Sequence, residues 1–289
     1  MVMGIHIRYI CMIRRLGGYL TTRKPDTAAP EARELELEGC TVVRGAFSKR
    51  EVTALHDAIT DIFDTGEAYN RNGVGRDSQT FRYEMLNRCA VCRSAIAHPA
   101  ILSVIEPLLG DNCHVIANTA WRNPPKPNDP AQGWHVDAGP HIPLAAGIEW
   151  PDYIPHPVFA IGVHVFLKDC TEDDGPTGVI PGSHLSGQFP PPEHAMDPHL
   201  KWQNRGVRKL TADAGDVAFF VSDVWHRRLP TGPDDQGRFF LQIHYGRRDI
   251  QQRIKPSDEL NQLSPEALSE PDLRTRSAMG LHPTGFYDG

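Results

Sequence analysis

The feature that most constrains this chain is a change of texture at Cys113. Upstream of it apolar residues recur at helical spacing; downstream, short runs rich in Val, Ile, Phe and Thr alternate with Pro/Gly/Asp turns. Helices followed by many short strands predict a mainly β domain with flanking helices, an α+β arrangement whose β part closes as a sandwich or barrel. Strands are predicted near 113–122, 133–137, 158–168, 177–181, 207–211, 216–221, 224–229 and 238–246, enough for the eight of a jelly roll. Before them, Ser48 and Glu51 form a capping box, and Val52, Leu55, Ile59, Ile62 and Phe63 share one face of a helix over 49–64. Pro99 at the first position and Gly110 at the stop mark a second helix over 99–109. Two long connections rich in Pro and His, Ala138–Pro157 and Leu185–Arg205, are expected to border a site.

Charge narrows the partners. Thirty Lys plus Arg against thirty-six Asp plus Glu give a net charge of -6, which argues against nucleic acid or an anionic membrane and for a small-molecule substrate. The early apolar stretch is broken by Arg8, Arg14 and Arg15, and no run approaches the roughly twenty apolar residues of a membrane-spanning helix. The six cysteines are too scattered for a disulfide scaffold, so reduced thiols and a cytoplasmic location are expected. Cys89-x-x-Cys92 has no second Cys or His pair to complete a zinc site and reads as two half-buried thiols. Residues 1–31, ending in the linker-like Thr21–Glu31, are expected to be a loosely attached extension and 32–289 a single domain.

The chemistry concentrates at Gly-Trp-His135-Val-Asp137. On a strand, side chains alternate faces, so H-x-D places imidazole and carboxylate side by side. His226, in Trp-His-Arg-Arg, can supply a third ligand if a late strand folds back against an early one. Two His and one carboxylate leave open positions on one face of an octahedral ion, the arrangement of non-haem Fe(II) oxygenases. Alone the triplet is weak, since a structural histidine is its commoner meaning. Arg238 changes the weighting: period two sets Arg238, Phe240, Gln242 and His244 on one strand face, and an inward guanidinium needs an anion.

Trp134-His-Val-Asp137, Asp174-Gly-Pro-Thr-Gly-Val-Ile-Pro-Gly-Ser-His184, Ala214-Gly-Asp-Val-Ala-Phe-Phe, Trp225-His226 and Arg238 occur in that order. This set resembles the phytanoyl-CoA dioxygenase family of Fe(II)/2-oxoglutarate oxygenases. The resemblance implies a double-stranded β-helix (jelly roll, cupin-like), Fe(II) on His135, Asp137 and His226, and 2-oxoglutarate on Arg238. It also implies O2 as oxidant and co-substrate or substrate contacts from the strand bearing Thr119, Trp121 and Arg122. The expected reaction is hydroxylation of a C–H bond in a small organic molecule with release of succinate and CO2. A cupin-like binding protein without turnover is the alternative, and Arg238 argues against it. One departure stands out: where the family often carries a small hydroxyl residue two places after the distal histidine, this chain has Arg228. Pro181-Gly182-Ser183-His184 reads as a type II turn rather than a nucleophile with its base, and Arg82 is expected to be solvated.

Overall fold

The computed structural model describes residues 29–65, 78–137, 139–250 and 263–282. Among the described residues nine strands form two antiparallel sheets. The larger has the order β1 (Cys40–Val43), β7 (Val217–Val221), β4 (Ala160–Phe166), β9 (Arg238–Gly246), β3 (His114–Asn123), β2 (Phe81–Tyr83); the smaller has the order β6 (Arg208–Leu210), β5 (Thr177–Val179), β8 (His226–Arg228). Seven of the predicted strands are present. The stretch 133–137 is not one of them: His135 makes a single bridge to His226 and its neighbours are irregular. The backbone N–H groups of Gln132, Trp134, His135 and Asp137 donate to scattered carbonyls (Arg228, Ala195, His226, Ser222), so the strand pattern is never repeated long enough to form a ladder. β1 and β2 were not expected, being too short to show a period.

Alternation along the strands divides the interior. Ile161, Val163 and Val165 of β4, Val217, Phe219 and Val221 of β7, and Phe239, Leu241, Ile243 and Tyr245 of β9 face the helices and form one apolar layer with them. The opposite faces contribute Phe166, Ala218, Phe220 and Phe240, which pack with Val179 and Leu210 of the smaller sheet in a second layer between the sheets. Gly162 lies in that layer because Phe220 fills its side-chain space: a Cβ there would meet the ring at 2.5 Å.

The helical cover follows the sequence closely. The helix Lys49–Asp64 starts on the expected capping box, with Ser48 N–H donating to Glu51 at 2.8 Å and Glu51 N–H to Ser48 Oγ at 3.4 Å, and it buries Leu55, Ile59 and Phe63. The second expected helix spans Pro99–Leu109. A helix at Pro30–Glu38, with Ala32 and Leu35 buried, begins within the last residues of the expected extension; residues 1–28 of that extension, Cys11 among them, lie outside the described residues. Short helices at Met85–Arg88, Ala90–Ala95, Pro265–Leu268 and Leu273–Ala278 were not expected. Arg93, itself buried, joins the Pro265–Leu268 helix to the rest by pairing with Glu266 at 2.7 Å and donating to the Leu86 carbonyl at 2.8 Å.

Cys89 and Cys92 are more buried than expected. Cys89 caps the helix Ala90–Ala95, its sulfur accepting from Cys92 N–H at 3.2 Å, and the hydrogen bond from Cys92 lowers its thiol pKa to about 7. Arg82 corrects a second expectation. It is buried rather than solvated, because the middle residue of β2 points under the Lys49–Asp64 helix, where Arg82 donates to the Phe63 carbonyl at 3.0 Å and lies over the Phe63 ring. No helix among the described residues is long and apolar enough to cross a membrane.

Candidate metal centre

Three elements meet at one end of the space between the sheets. Each backbone N–H of His135 and His226 donates to the other residue's carbonyl at 3.0 Å, and Asp137 N–H donates to the Ser222 carbonyl at 3.1 Å. These bonds pin an otherwise irregular segment against β8. The consequence is that ligand atoms of His135, Asp137 and His226 all lie within 4.8 Å of one another. Asp137 Oδ1 is 3.4 Å from His226 Nε2 and 3.9 Å from His135 Nε2.

Both imidazoles are oriented from behind. His135 Nδ1 is 2.8 Å from the Gly133 carbonyl and His226 Nδ1 is 2.9 Å from the Val224 carbonyl. A carbonyl only accepts, so each Nδ1 carries a proton and each ring turns its Nε2 to the cluster. Electrostatics agree with a cation site. Burial works to raise the Asp137 pKa, but the His226, His244 and His135 imidazoles reverse this and hold it below the usual carboxylate range. Burial works to lower His226, and Asp137 reverses that too, whereas burial and His226 push His135 down. The His135 side chain is 42% exposed against 6% for His226, so the centre opens on the His135 side.

The wall beside this cluster was only partly foreseen. Thr119 and Trp121 both point inward, and both donate to Gln242 Oε1, at 3.1 and 2.5 Å. Two donors on one oxygen fix the Gln242 amide, whose nitrogen then donates to His244 Nε2 at 2.8 Å. His244 in turn stands 3.5 Å from Asp137 Oδ2. Thr119 and Trp121 therefore order, through Gln242, the side chains that stand next to the Asp137 carboxylate, while Arg122 points away and pairs with Asp64 at 2.7 Å. His164 was missed altogether. On β4 it is buried opposite Gln242 of β9, among Phe166, Phe220 and Phe240, and neither ring nitrogen has a hydrogen-bond partner. Period two along β4 was the signal that could have found it.

Arg238 opens β9 with its side chain 7% exposed. Its contacts are Asn123 Oδ1 at 3.3 Å and the face of Phe240, Nε has no partner, and no carboxylate forms a salt bridge with it among the described residues. Burial, and then the neighbouring Arg228, push its pKa down to about 10. Such a guanidinium is costly without an anion. A cavity of about 600 Å³ beside Arg238 is lined by Phe63, Arg82 and Phe239, residues of the helix-facing side, and includes none of the three candidate ligands.

Ser183 and His184 have other employment. Ser183 Oγ accepts from Trp225 N–H at 2.8 Å, and His184 Nε2 meets the Glu36 carbonyl at 3.1 Å, at the end of the Pro30–Glu38 helix. Gly182 has the positive φ, 81°, of the expected turn, closed by Ser183 N–H on the Ile180 carbonyl. The second long connection reaches the centre through tryptophans: Trp134 Nε1 donates to the Asp197 carbonyl and Trp225 Nε1 to the Gln188 carbonyl, at 2.7 and 2.8 Å. Each of these tryptophans precedes a candidate ligand. Leu200 and Trp202 pack with them on Ile180, so the second connection is in part a cover, with Phe189 and Met196 left exposed.

Comparison with known proteins agrees with this layout. The phytanoyl-CoA dioxygenase (PhyH) family profile matches residues 35–230. Dioxygenase af480 of Aspergillus fumigatus is 26% identical over 191 residues, 66% of this chain and 55% of that protein, so the chain spans about half the length of this curated relative. Among solved structures, EctD from S. alaskensis superposes with a TM-score of 0.61 at 21% identity, covering 81% of this chain and 83% of EctD; it has also been solved with 2-oxoglutarate and 5-hydroxyectoine. The non-heme alpha ketoglutarate dependent epimerase SnoN from nogalamycin biosynthesis gives 0.56 at 18% identity, over 78% and 85% of the two chains. HygX from Streptomyces hygroscopicus, with nickel and 2-oxoglutarate bound, gives 0.57 at 14%, over 77% and 88%. At these identities the likeness is one of fold, and it is the double-stranded β-helix expected from the sequence. With the family profile covering residues 35–230, β1 to β8 and the whole His/Asp/His cluster among them, the chain belongs to the phytanoyl-CoA dioxygenase family.

Proposed function

We propose that this chain is a non-haem Fe(II)/2-oxoglutarate-dependent dioxygenase that hydroxylates an unactivated C–H bond of a small organic molecule. The observation that carries the reading is the convergence of three ligand atoms within 4.8 Å, with both histidines held by Nδ1 so that Nε2 is left for a metal. Donor chemistry fits the ion: two neutral imidazoles and one carboxylate suit Fe(II), and three protein ligands leave positions open. Fe(II), 2-oxoglutarate and O2 together supply the oxidising power, one oxygen atom entering the substrate C–H bond and the other the succinate formed as CO2 leaves.

The protein's own residues bind and orient. His135, Asp137 and His226 hold the metal, and the Thr119–Trp121–Gln242–His244 chain fixes the surroundings of the Asp137 carboxylate. Arg238 binds the far carboxylate of 2-oxoglutarate by charge and planar fork. Phe166, Phe220 and Phe240 line an apolar interior that excludes water from the reacting centre. The substrate approaches from the exposed His135 side, beside the connection that includes Phe189 and Met196.

Incubating the iron-loaded protein with 2-oxoglutarate, O2 and a panel of small organic molecules tests this reading. A product heavier than its substrate by one oxygen atom, formed with matching succinate, is the expected result. A product with unchanged oxygen content but matching succinate would move the assignment to epimerisation, desaturation or ring closure.

A further inference from the structure

Asp223 grips His141 at two points beside the candidate metal centre. The carboxylate is 4% exposed; its Oδ2 accepts the His141 backbone N–H at 3.0 Å, and its Oδ1 meets Nδ1 of the same residue's ring. Gly139 makes room for this grip, since a Cβ there would stand 2.6 Å from Asp223 Oδ1. The His141 ring also stacks on Phe159, with centroids 4.9 Å apart and planes 9° from parallel. Main chain and ring are fixed together.

The same bonds decide where the ring stands. Asp137 N–H is tied to the Ser222 carbonyl and His141 N–H to the Asp223 side chain, so two consecutive residues hold both ends of the segment that leads from the ligand to His141. Consecutive Cα atoms lie about 3.8 Å apart, which keeps His141 well short of the ~14 Å that four extended residues could span. His141 is therefore folded back beside Asp137, and Asp223 itself is three residues before His226. Further along, Leu144 N–H donates to the Gly187 carbonyl at 3.0 Å, where the two long connections meet. The ring thus stands between the metal ligands and the cover of the site.

A carboxylate only accepts, so His141 Nδ1 carries a proton. In the neutral imidazole that makes Nε2 an acceptor, strengthened by the carboxylate behind it. Nε2 has no hydrogen-bond partner among the described residues and is not enclosed, and the side chain keeps 16% of its surface exposed. The connection Ala138–Pro157 contains no Lys or Arg. What it offers a substrate is therefore an oriented acceptor rather than a fixed positive charge.

With the dioxygenase reading as its basis, we propose that His141 is a substrate-anchoring residue positioned by Asp223. Its Nε2 accepts a hydrogen bond from a hydroxyl or amine group of the substrate and so sets which C–H bond faces the metal. The substrate class that follows is an alcohol or an amine, not a hydrocarbon without a donor.

The test measures succinate release by the iron-loaded protein with 2-oxoglutarate and O2. The probes are alcohols and primary amines, each beside the hydrocarbon of the same skeleton, 3-phenylpropan-1-ol and 3-phenylpropylamine with propylbenzene among them. In wild type the donor-bearing members should raise the rate above that without substrate, and the hydrocarbons should not. His141→Asn keeps an amide donor near the Nδ1 position for Asp223 and removes Nε2. For the members that work, its KM should rise about tenfold, the loss of one hydrogen bond, with more succinate formed per oxygenated product. The Fe(II)/2-oxoglutarate charge-transfer absorption should titrate as in wild type. His141→Gln, whose longer amide reaches the Nε2 position, should recover part of the loss. A folded His141→Asn with the wild-type KM, or hydrocarbons turned over as well as their alcohols and amines, overturns the anchor and leaves the dioxygenase reading standing. No succinate from wild type with any member overturns both. If His141→Asn does not fold, wild type alone decides: peptide mapping should find His141 modified by diethyl pyrocarbonate and protected by the alcohol or amine that works, and an unmodified or unprotected His141 overturns the proposal.

Discussion

His135 and His226 exchange backbone hydrogen bonds with each other, N–H to carbonyl in both directions at 3.0 Å, although neither the chain around His135 nor its hydrogen bonds form a strand. This one bridge sets the separation of two side chains that are 91 positions apart in sequence. It places Asp137 against His226 and makes a three-ligand site from an irregular segment and a three-residue strand.

Arg238→Lys keeps a charge and loses the two-point fork. Co-substrate affinity should fall by about 1.5–3 kcal/mol, the scale of a charge-assisted bond, and further for Arg238→Ala. Fe(II) binding should survive both. Titration calorimetry of the anaerobic protein reads the two affinities separately, and equal loss of both would place Arg238 in the fold rather than in the co-substrate site.

Ser183 accepts the backbone N–H of Trp225, one residue before His226. Ser183→Ala should leave that buried donor unsatisfied and lower stability by about 1–3 kcal/mol, measured by denaturant unfolding. A nucleophilic serine would instead show loss of turnover at unchanged stability.

Met196 Sδ lies near Gly133, two residues before His135, and Met196 and Phe189 are both exposed. Met196→Ala and Phe189→Ala should change the substrate KM while 2-oxoglutarate and Fe(II) affinities stay near wild type. Equal loss in all three would show the connection supporting the fold only.

Acid should weaken the protein through His184. Burial, then His156, push its pKa down to about 4, so between its unfolded value near 6.5 and 4 the unfolded chain binds a proton that the folded one does not. Stability from this residue is therefore present above about 6.5 and is lost as pH falls toward 4, to a maximum of about 3 kcal/mol. The Tm of His184→Gln should fall less steeply than that of wild type over this window; parallel curves would mean that His184 is already charged in the fold.

Much of this was readable in the sequence because period two and period 3.6 are strong where elements are long. The faces of β9, the capped helix and the turn at Gly182 follow from such local rules. His135 and Asp137 were found through an H-x-D spacing read as a strand, and they do converge, but through hydrogen bonds to β8 and Ser222 that no local pattern encodes. His164 and the burial of Arg82 depend on which strands lie opposite each other, a property of the whole sheet order. Thr119 and Trp121 could be placed on a strand but not linked to Asp137, since the connection runs through Gln242 and His244 of a strand more than a hundred residues later.

The most direct measurement is an anaerobic Fe(II) and 2-oxoglutarate titration of wild type beside His135→Ala, Asp137→Ala and His226→Ala, each checked for an unchanged fold by circular dichroism, followed by admission of O2. Wild type should develop the charge-transfer absorption, gain thermal stability with metal by mass action, and release succinate once O2 enters. Each variant should lose the absorption and the succinate. A folded His226→Ala that still binds iron and 2-oxoglutarate and still makes succinate at the wild-type rate would contradict the His135–Asp137–His226 centre.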